Sequence, residues 1–386
     1  MATTVGAGDQ ASPWQAAPAS RQRSPSSRLT LGWVQPMGLL ALSAVNYVLR
    51  ILTLGIYHFW GKTEVRKRIW SAVRVAGEPL EYTGTGRELF TGFLVVFGLL
   101  LLPVLLLSFG IVLAFGPQSP VVFVFQAVLY AVFFFLIGVA THRAQRYRLT
   151  RTRWRGIRGG MEGSAWSYGA MHFWTGLLIP LTLGWIIPWR STRLQRALVS
   201  DMRFGNRAFR FDAGPGPLYL RYALLWVGTI AILILTTSVL SGIVLGDLTK
   251  PADGPRLGMP HGSLSTAAIV MMAVVLAVAY LAYAIVSAWY RASQINHFAA
   301  HTHYEGATFR ADVSAGGLIW LAVTNVLLVI LSLGLLAPVA QARAARYYVE
   351  HLAIDGEVPT AEIAQGADAG LTKGEGLAQV FDVDAF

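Results

Sequence analysis

The sequence predicts an all-α, polytopic transmembrane protein that combines helical hairpins with three internal repeats. Of its 386 residues, 54% are hydrophobic and only 13% are charged, whereas a soluble domain carries about 25% charged residues. The mean hydropathy is +0.52. Several apolar runs reach the roughly 20 residues that a spanning helix needs. A Leu-[Thr/Ser]-Leu-Gly motif recurs in three other apolar runs.

The charge pattern favours a membrane surface as the partner. The net charge is +11, and the basic residues stand in short clusters beside the apolar runs. Such clusters orient membrane proteins and contact anionic lipid headgroups, so we expect membrane lipids as partners. No nucleic-acid-binding motif accompanies the charge, and we expect no nucleic-acid partner. The chain has no cysteine, which excludes disulfides and thiolate metal sites.

The two ends of the chain differ in composition from the middle. Residues 1–31 are rich in Ala, Ser, Gln and Pro, which predicts a disordered tail, and residues 354–386 predict an acidic, flexible tail. Residues 32–353 are the predicted transmembrane domain. Within it, apolar runs at 89–115 and 121–140 predict one transmembrane hairpin (89–140), and runs at 218–245 and 267–289 predict a second (218–289).

The repeated units cover about residues 33–87, 150–216 and 300–353. Each carries its motif near the end of an apolar run, and the motif glycines are the expected turn residues: Gly55, Gly184 and Gly334. A polar residue lies nine positions before each glycine: Asn46, Thr175 and Asn325. Three copies with aligned flanks indicate a repeated structural unit. Short polar stretches at 78–83 and 207–211 are candidate β-like surface arms.

The basic segments at 61–87, 141–158 and 190–210 predict cytoplasmic locations. Because the second unit lies between two of them, we expect each unit to enter the membrane and return, broken at its glycine. The alternative is seven ordinary spans with one violated loop. With returning units, both tails are expected in the cytoplasm.

Two groups of side chains are candidate sites. Asn46, Arg50, Thr175 and Asn325 form the candidate polar intramembrane site, and simple hydrogen bonding between helices is the alternative. Trp154, Arg155 and Arg158 form the candidate headgroup-binding site, and an aromatic–basic membrane anchor is the alternative. The His297, His301 and His303 cluster is more typical of an interface than of a metal site. We expect no catalytic residue, metal or cofactor, and no enzyme.

Four stretches carry a resemblance to a known family: residues 52–62, Phe90-Thr91-Gly92, residues 152–158 (Thr-Arg-Trp-Arg-Gly-Ile-Arg) and residues 340–347. Together they resemble the YjgN-like family of bacterial inner-membrane proteins, a domain of unknown function (DUF898). The resemblance implies a multi-pass protein of the bacterial inner membrane. It implies no activity, because the family has none established.

The expected function is therefore broad. Repeat symmetry and broken segments favour a transporter or permease for a small solute or a lipid. The alternative is a non-catalytic membrane protein that binds anionic lipids or scaffolds partners, which the basic–aromatic segments favour. The sequence identifies no protein partner.

Overall fold

The computed structural model describes residues 27–249 and 264–366. These residues are mostly helical, and they include four helices that are long and apolar enough to cross a membrane. The prediction of an all-α fold is wrong in one respect, because the described residues also contain fourteen short strands. The strands are two to five residues long, and they pair both across tight turns and with strands that are distant in sequence.

The helices form three short pairs and two long pairs. The short pairs are α1 (Leu39–Leu52) with α2 (His58–Ala72), α6 (Ala165–Leu181) with α7 (Ile187–Asp201), and α10 (Ala315–Leu331) with α11 (Ala337–Glu350). In the first long pair, α3 (Gly86–Val96) continues through a π-type turn (Phe97–Leu101) into α4 (Leu102–Phe115) and returns as α5 (Pro120–Arg151). In the second, α8 (Gly216–Leu248) returns as α9 (Thr266–Ala300).

The strands close into one antiparallel barrel. They are β1 (Ser27–Arg28), β2 (Leu31–Trp33), β3 (Val73–Val75), β4 (Glu78–Pro79), β5 (Glu81–Tyr82), β6 (Thr152–Trp154), β7 (Ile157–Met161), β8 (Met202–Phe204), β9 (Arg207–Ala208), β10 (Arg210–Phe211), β11 (Thr302–Tyr304), β12 (Ala307–Ala311), β13 (Leu352–Asp355) and β14 (Glu357–Val358). Eight of them combine into four bent strands, each interrupted by one or two residues: β1/β2, β4/β5, β9/β10 and β13/β14. Each of the resulting ten strands pairs with its two neighbours in chain order, and β1 closes the barrel by pairing with β14.

The two ends of the barrel differ completely. At one end, four tight turns join neighbouring strands: Ala76-Gly77, Arg155-Gly156, Gly205-Asn206 and Glu305-Gly306. In three of them both turn residues have positive φ, as in the turns that suit the twist of antiparallel hairpins. At the other end, which we call the rim, strands continue into helices. All five helix pairs therefore leave from the rim and return to it.

The barrel interior is filled by apolar side chains, which we call the barrel core. It contains six buried residues, Leu29, Trp154, Tyr304, Ala307, Val358 and Ile363, and partly buried partners that include Phe204, Phe209 and Phe309. Trp154 donates its indole N–H to the Val75 carbonyl at 3.1 Å, and the Tyr304 hydroxyl donates to the Phe204 carbonyl at 3.0 Å. Burial raises the pKa of Tyr304. Aromatic rings thus make up much of the barrel core.

Residues after the last strand cover the turn end of the barrel. Ile363 is buried in the barrel core, and Ala364 exchanges hydrogen bonds with Asn206 at 3.0 and 3.3 Å. Residues 27–31 and 354–366 thus belong to the barrel, although the sequence assigned them to tails. The remaining residues of both predicted tails, 1–26 and 367–386, lie outside the described residues.

The close packing of α5 against α6 depends on glycine. A Cβ at Gly138 would lie 2.9 Å from the Gly169 Cα, and a Cβ at Gly169 would lie 2.5 Å from Val139 Cγ2. Small residues let helix backbones approach closely within a membrane. The long helices expose most of their apolar surface. In the most apolar 18-residue stretch of each, at most 17% is buried.

Candidate functional site at the barrel rim

The connections of the three short helix pairs, which we call the tips, have one geometry. In each tip the glycine N–H donates to the carbonyl five residues earlier: Gly55 to Arg50 at 2.7 Å, Gly184 to Ile179 at 2.7 Å, and Gly334 to Val329 at 2.8 Å. This is the longer bond of a Schellman helix ending. The predicted break at each motif glycine is therefore where the first helix of the pair ends.

A leucine precedes the glycine at each tip and has left-handed backbone geometry. The φ angles of Leu54, Leu183 and Leu333 are 50°, 48° and 51°. That conformation costs a residue with a Cβ roughly 1–2 kcal/mol, so glycine or asparagine normally occupies it. The side chains are 95%, 76% and 81% exposed. The motif itself did not indicate that these leucines, as well as the glycines, form the turn.

The predicted polar residues lie inside their own helix pairs. Asn46 donates from Nδ2 to the Gly61 carbonyl at 3.4 Å, and Asn325 donates to the Ala340 carbonyl at 3.1 Å. Thr175 bonds instead to Met171 in its own helix. In the described part of the chain, none of the three bonds to another. Arg50 lies in the last turn of α1 and is exposed.

The second helix of the first short pair runs along the rim. At its start, Phe59 packs on Phe93 in the second turn of α3, and a Cβ at Gly86 would lie 2.7 Å from the Trp60 Cα. At its end, α2 continues directly into β3. Both ends of this helix, which is ~22 Å long by its 15 residues, therefore stay near the rim.

The other two short pairs repeat this arrangement. Ile187 at the start of α7 packs against the cluster of Leu218 and Tyr222 in the first turns of α8, and α7 ends at β8. In mid-helix, Arg196 donates to the Ala213 carbonyl at 2.7 Å, just before α8. Val339 of α11 packs against the cluster that includes Leu39, the first residue of α1, and α11 ends at β13. We call α2, α7 and α11 the rim helices.

The rim helices carry most of the charge of the short pairs. They contain nine Lys and Arg residues against three Asp and Glu residues, whereas α1, α6 and α10 contain one charged residue, Arg50. Arg193 lies over the Trp189 ring at 5.3 Å, an aromatic–basic contact that is typical of membrane interfaces. Each short pair thus has one apolar helix and one basic helix.

The family model for bacterial proteins of unknown function, DUF898, matches residues 37–380. The chain belongs to this family. The match covers the helix pairs and nearly all of the barrel, and it confirms the resemblance that the sequence motifs indicated. No curated protein and no solved structure matches the chain.

Trp154, Arg155 and Arg158 of this DUF898 chain lie in the β6–β7 hairpin, and Arg155 is in its tight turn. Trp154 is in the barrel core, and Arg155 makes a two-bond ion pair with Glu78 at 3.0 and 3.1 Å. Arg158 lies at the turn end, away from the rim. Its backbone N–H donates to the Gln365 side chain, in the segment that covers the turn end, at 3.0 Å. Basic residues on the helix side of the barrel lie on the rim helices and also near the rim ends of the long helices, where Arg87, Arg221 and Arg291 are exposed.

The histidine cluster is held by local hydrogen bonds. His297 bonds to the Gly214 carbonyl at 2.8 Å and His301 to the His297 carbonyl at 2.8 Å. His303 contacts Asp212 at 3.4 Å beside a cavity of about 500 Å³ on the outer barrel wall. Over residues 27–249 and 264–366, no three His, Asp or Glu side chains are grouped to hold a metal.

Proposed function

We propose that this DUF898 protein is a non-catalytic protein of the bacterial inner membrane that binds anionic headgroups of the cytoplasmic leaflet through its rim helices. The single observation that carries the proposal is the position of three helices with net positive charge along the one barrel end from which every membrane helix leaves. Basic residues in such a position favour the headgroup layer of the cytoplasmic leaflet. A basic residue near an anionic surface contributes about 1 kcal/mol of attraction.

The orientation of the barrel follows from charge. Basic segments favour the cytoplasmic side, and the basic rim helices adjoin the barrel. The barrel and the chain ends beside it are then cytoplasmic, and the two long pairs cross the membrane and return. The three short pairs enter and return without crossing. In this arrangement the basic segment at 190–210, which follows the second motif, stays on the cytoplasmic side. A full crossing by α6 would have placed it outside.

A binding experiment tests the proposal. The full chain in uncharged detergent is titrated with short-chain phosphatidylglycerol or phosphatidylcholine, and the dissociation constants are compared. We expect preference for phosphatidylglycerol, and a loss on the order of a hundredfold when Lys67, Arg193 and Arg346 are all changed to Gln. The matched control changes Arg155, Arg158 and Arg207 at the turn end. Equal losses in both triple variants, or no preference between lipids, would contradict the proposal.

A second candidate function is transport of a lipid or small solute between the short pairs. It is favoured by the Oδ1 atoms of Asn46 and Asn325, which are buried without a hydrogen-bond partner, and by Arg50 on an otherwise apolar helix. The aromatic barrel core argues against a route along the barrel axis. Lipid scrambling in proteoliposomes tests this candidate: loss of scrambling in Arg50→Gln, with headgroup affinity retained, supports transport over simple binding.

A further inference from the structure

The tip leucines are unusual residues for an exposed turn. Three times, a left-handed position that suits glycine or asparagine carries a large apolar side chain, and each side chain is more than three-quarters exposed. The first leucine of each motif, at 52, 181 and 331, is also at least 72% exposed. Backbone strain that recurs without a packing reason points to a functional constraint.

The depth of the second tip is fixed by two hydrogen bonds to α8. The Tyr222 hydroxyl donates to the Gly184 carbonyl at 2.7 Å, and the Trp226 indole donates to the Leu183 carbonyl at 2.8 Å. These two residues stand six and ten positions after the start of α8 at the rim, which is ~9 and ~15 Å along its axis. Half the hydrocarbon core is ~15 Å thick. When the rim lies at the headgroup level, as in the proposed function, the tip therefore reaches no further than the bilayer midplane.

The contacts of the rim helices place the other two tips at similar depth. Phe59, four residues after Gly55, packs within the first two turns of α3. Val339, five residues after Gly334, packs against the cluster of Leu39, Val65, Ile69 and Ala342, which includes the first residue of α1. The long pairs extend much further from the rim, since α5 has 32 residues and α9 has 35.

We propose that Leu54, Leu183 and Leu333 bind the acyl chains of the cytoplasmic leaflet, so that the three short pairs occupy this leaflet alone. The proposal rests on the proposed function, because the basic rim helices define the level of the headgroups. Acyl chains are the occupant that the layering favours, with basic helices at the rim and apolar leucines ~9–15 Å beyond them. A protein partner would have to cover three separate tips around one barrel, whereas lipid surrounds all of them at once.

Fluorescence quenching measures the depth directly. Because the chain has no cysteine, single Leu54→Cys, Leu183→Cys and Leu333→Cys variants can carry a fluorophore in vesicles of phosphatidylcholine and phosphatidylglycerol. We expect the strongest quenching by lipids that are spin-labelled near the top of the acyl chain. The control, Leu99→Cys, is 79% exposed and lies ~20 Å along the helix from the rim, so it should be quenched most by lipids labelled near the chain end. Tip probes that are quenched mainly by aqueous iodide, or as deeply as the control, would overturn the proposal.

A second set of variants separates membrane contact from a structural role. Asparagine tolerates the left-handed conformation, so a triple Leu→Asn variant at positions 54, 183 and 333 should melt in detergent within a few degrees of the parent. In vesicles, a fluorophore attached through Trp185→Cys, beside the second tip, should become more accessible to iodide in this variant. A Leu→Gly triple variant should behave in the same way. A large loss of stability in detergent in both variants would show that the leucines serve the fold instead.

The outcomes distinguish this proposal from the headgroup proposal. Shallow tips without a preference for phosphatidylglycerol would leave the acyl-chain contact and remove headgroup binding. A clear lipid preference with tips at the far side of the membrane would do the reverse. Protection of the tip probes from every lipid quencher and from iodide would identify a protein surface as their cover, and would overturn the acyl-chain proposal.

Discussion

Asn46 and Asn325 connect the two helices of their pairs across the same spacing. Each donates from Nδ2 to a carbonyl fifteen residues later, at the start of the basic helix. Their Oδ1 atoms lack a partner, so each side chain makes one of the four hydrogen bonds that an amide group can make. The hydrogen bond is worth about 0.6 kcal/mol on average between membrane helices. A weak hydrogen bond between the two helices therefore accounts for the position of each asparagine, and no bound solute is needed.

Asn325→Leu and Asn46→Leu should therefore cost little stability. We expect each to lower the melting temperature of the detergent-solubilised protein by about 1–2 °C, because one weak hydrogen bond is lost and one unpartnered oxygen is removed with it. Val326→Leu, at a site that is 55% exposed, serves as the control. A decrease of more than about 5 °C would indicate that the asparagines hold a larger polar network.

The α5–α6 contact connects a membrane-crossing helix to a short pair, and it depends on the absence of side chains. A Cβ at Gly138 would lie 2.6 Å from the His172 Cβ and 2.9 Å from the Gly169 backbone. Neither neighbour is the end of a flexible side chain, so the helices would have to separate. The contact therefore fixes the second short pair against the membrane-spanning part of the chain.

Gly138→Ala should destabilise the protein, although alanine is the better helix former. Overpacking of this kind costs about 1–3 kcal/mol, which exceeds the gain of about 1 kcal/mol in helix propensity. Gly110→Ala in α4 is the matched control, since a Cβ there meets nothing within 4 Å. Thermal melting in detergent should show a lower transition only for Gly138→Ala. Equal melting temperatures in the two variants would mean that α5 and α6 do not pack this closely.

The barrel brings together segments from the whole chain, since β1 pairs with β14 across more than 300 residues. The turn end depends on Ile363, which is 7% exposed in the barrel core. Ile363→Asp should lower the melting temperature by several degrees, because it places a charge in an apolar core. Ala361→Asp, at an exposed position two residues earlier, should leave the melting temperature unchanged. Unchanged melting of Ile363→Asp would exclude this segment from the barrel.

The sequence predicted the helices well and the barrel poorly, for one physical reason. Apolar runs and the Leu-x-Leu-Gly breaks are local signals, and they located the long pairs and the three tips. Strands of two to five residues show almost no alternation, and each bent or straight strand has at least one neighbour that is separated from it by a helix pair, the longest of which spans about 85 residues. The stretches at 78–83 and 207–211 were recognised as β-like, but as surface arms. The recurring Thr-x-aromatic-x-Gly segments at 152–156 and 302–306 were the overlooked sign of hairpin turns.

The central claim is that all five helix pairs leave from and return to one cytoplasmic barrel. Single cysteines at Arg155 in a barrel turn, Arg193 on a rim helix, and Gln118 and Asp253 in the links of the two long pairs test it. Intact cells are treated with a membrane-impermeant thiol reagent, before and after permeabilisation. We predict that Gln118→Cys and Asp253→Cys label in intact cells, and that Arg155→Cys and Arg193→Cys label only after permeabilisation. Labelling of Arg193→Cys in intact cells would contradict the claim, because α6 would then cross the membrane and the short pairs would be ordinary spans.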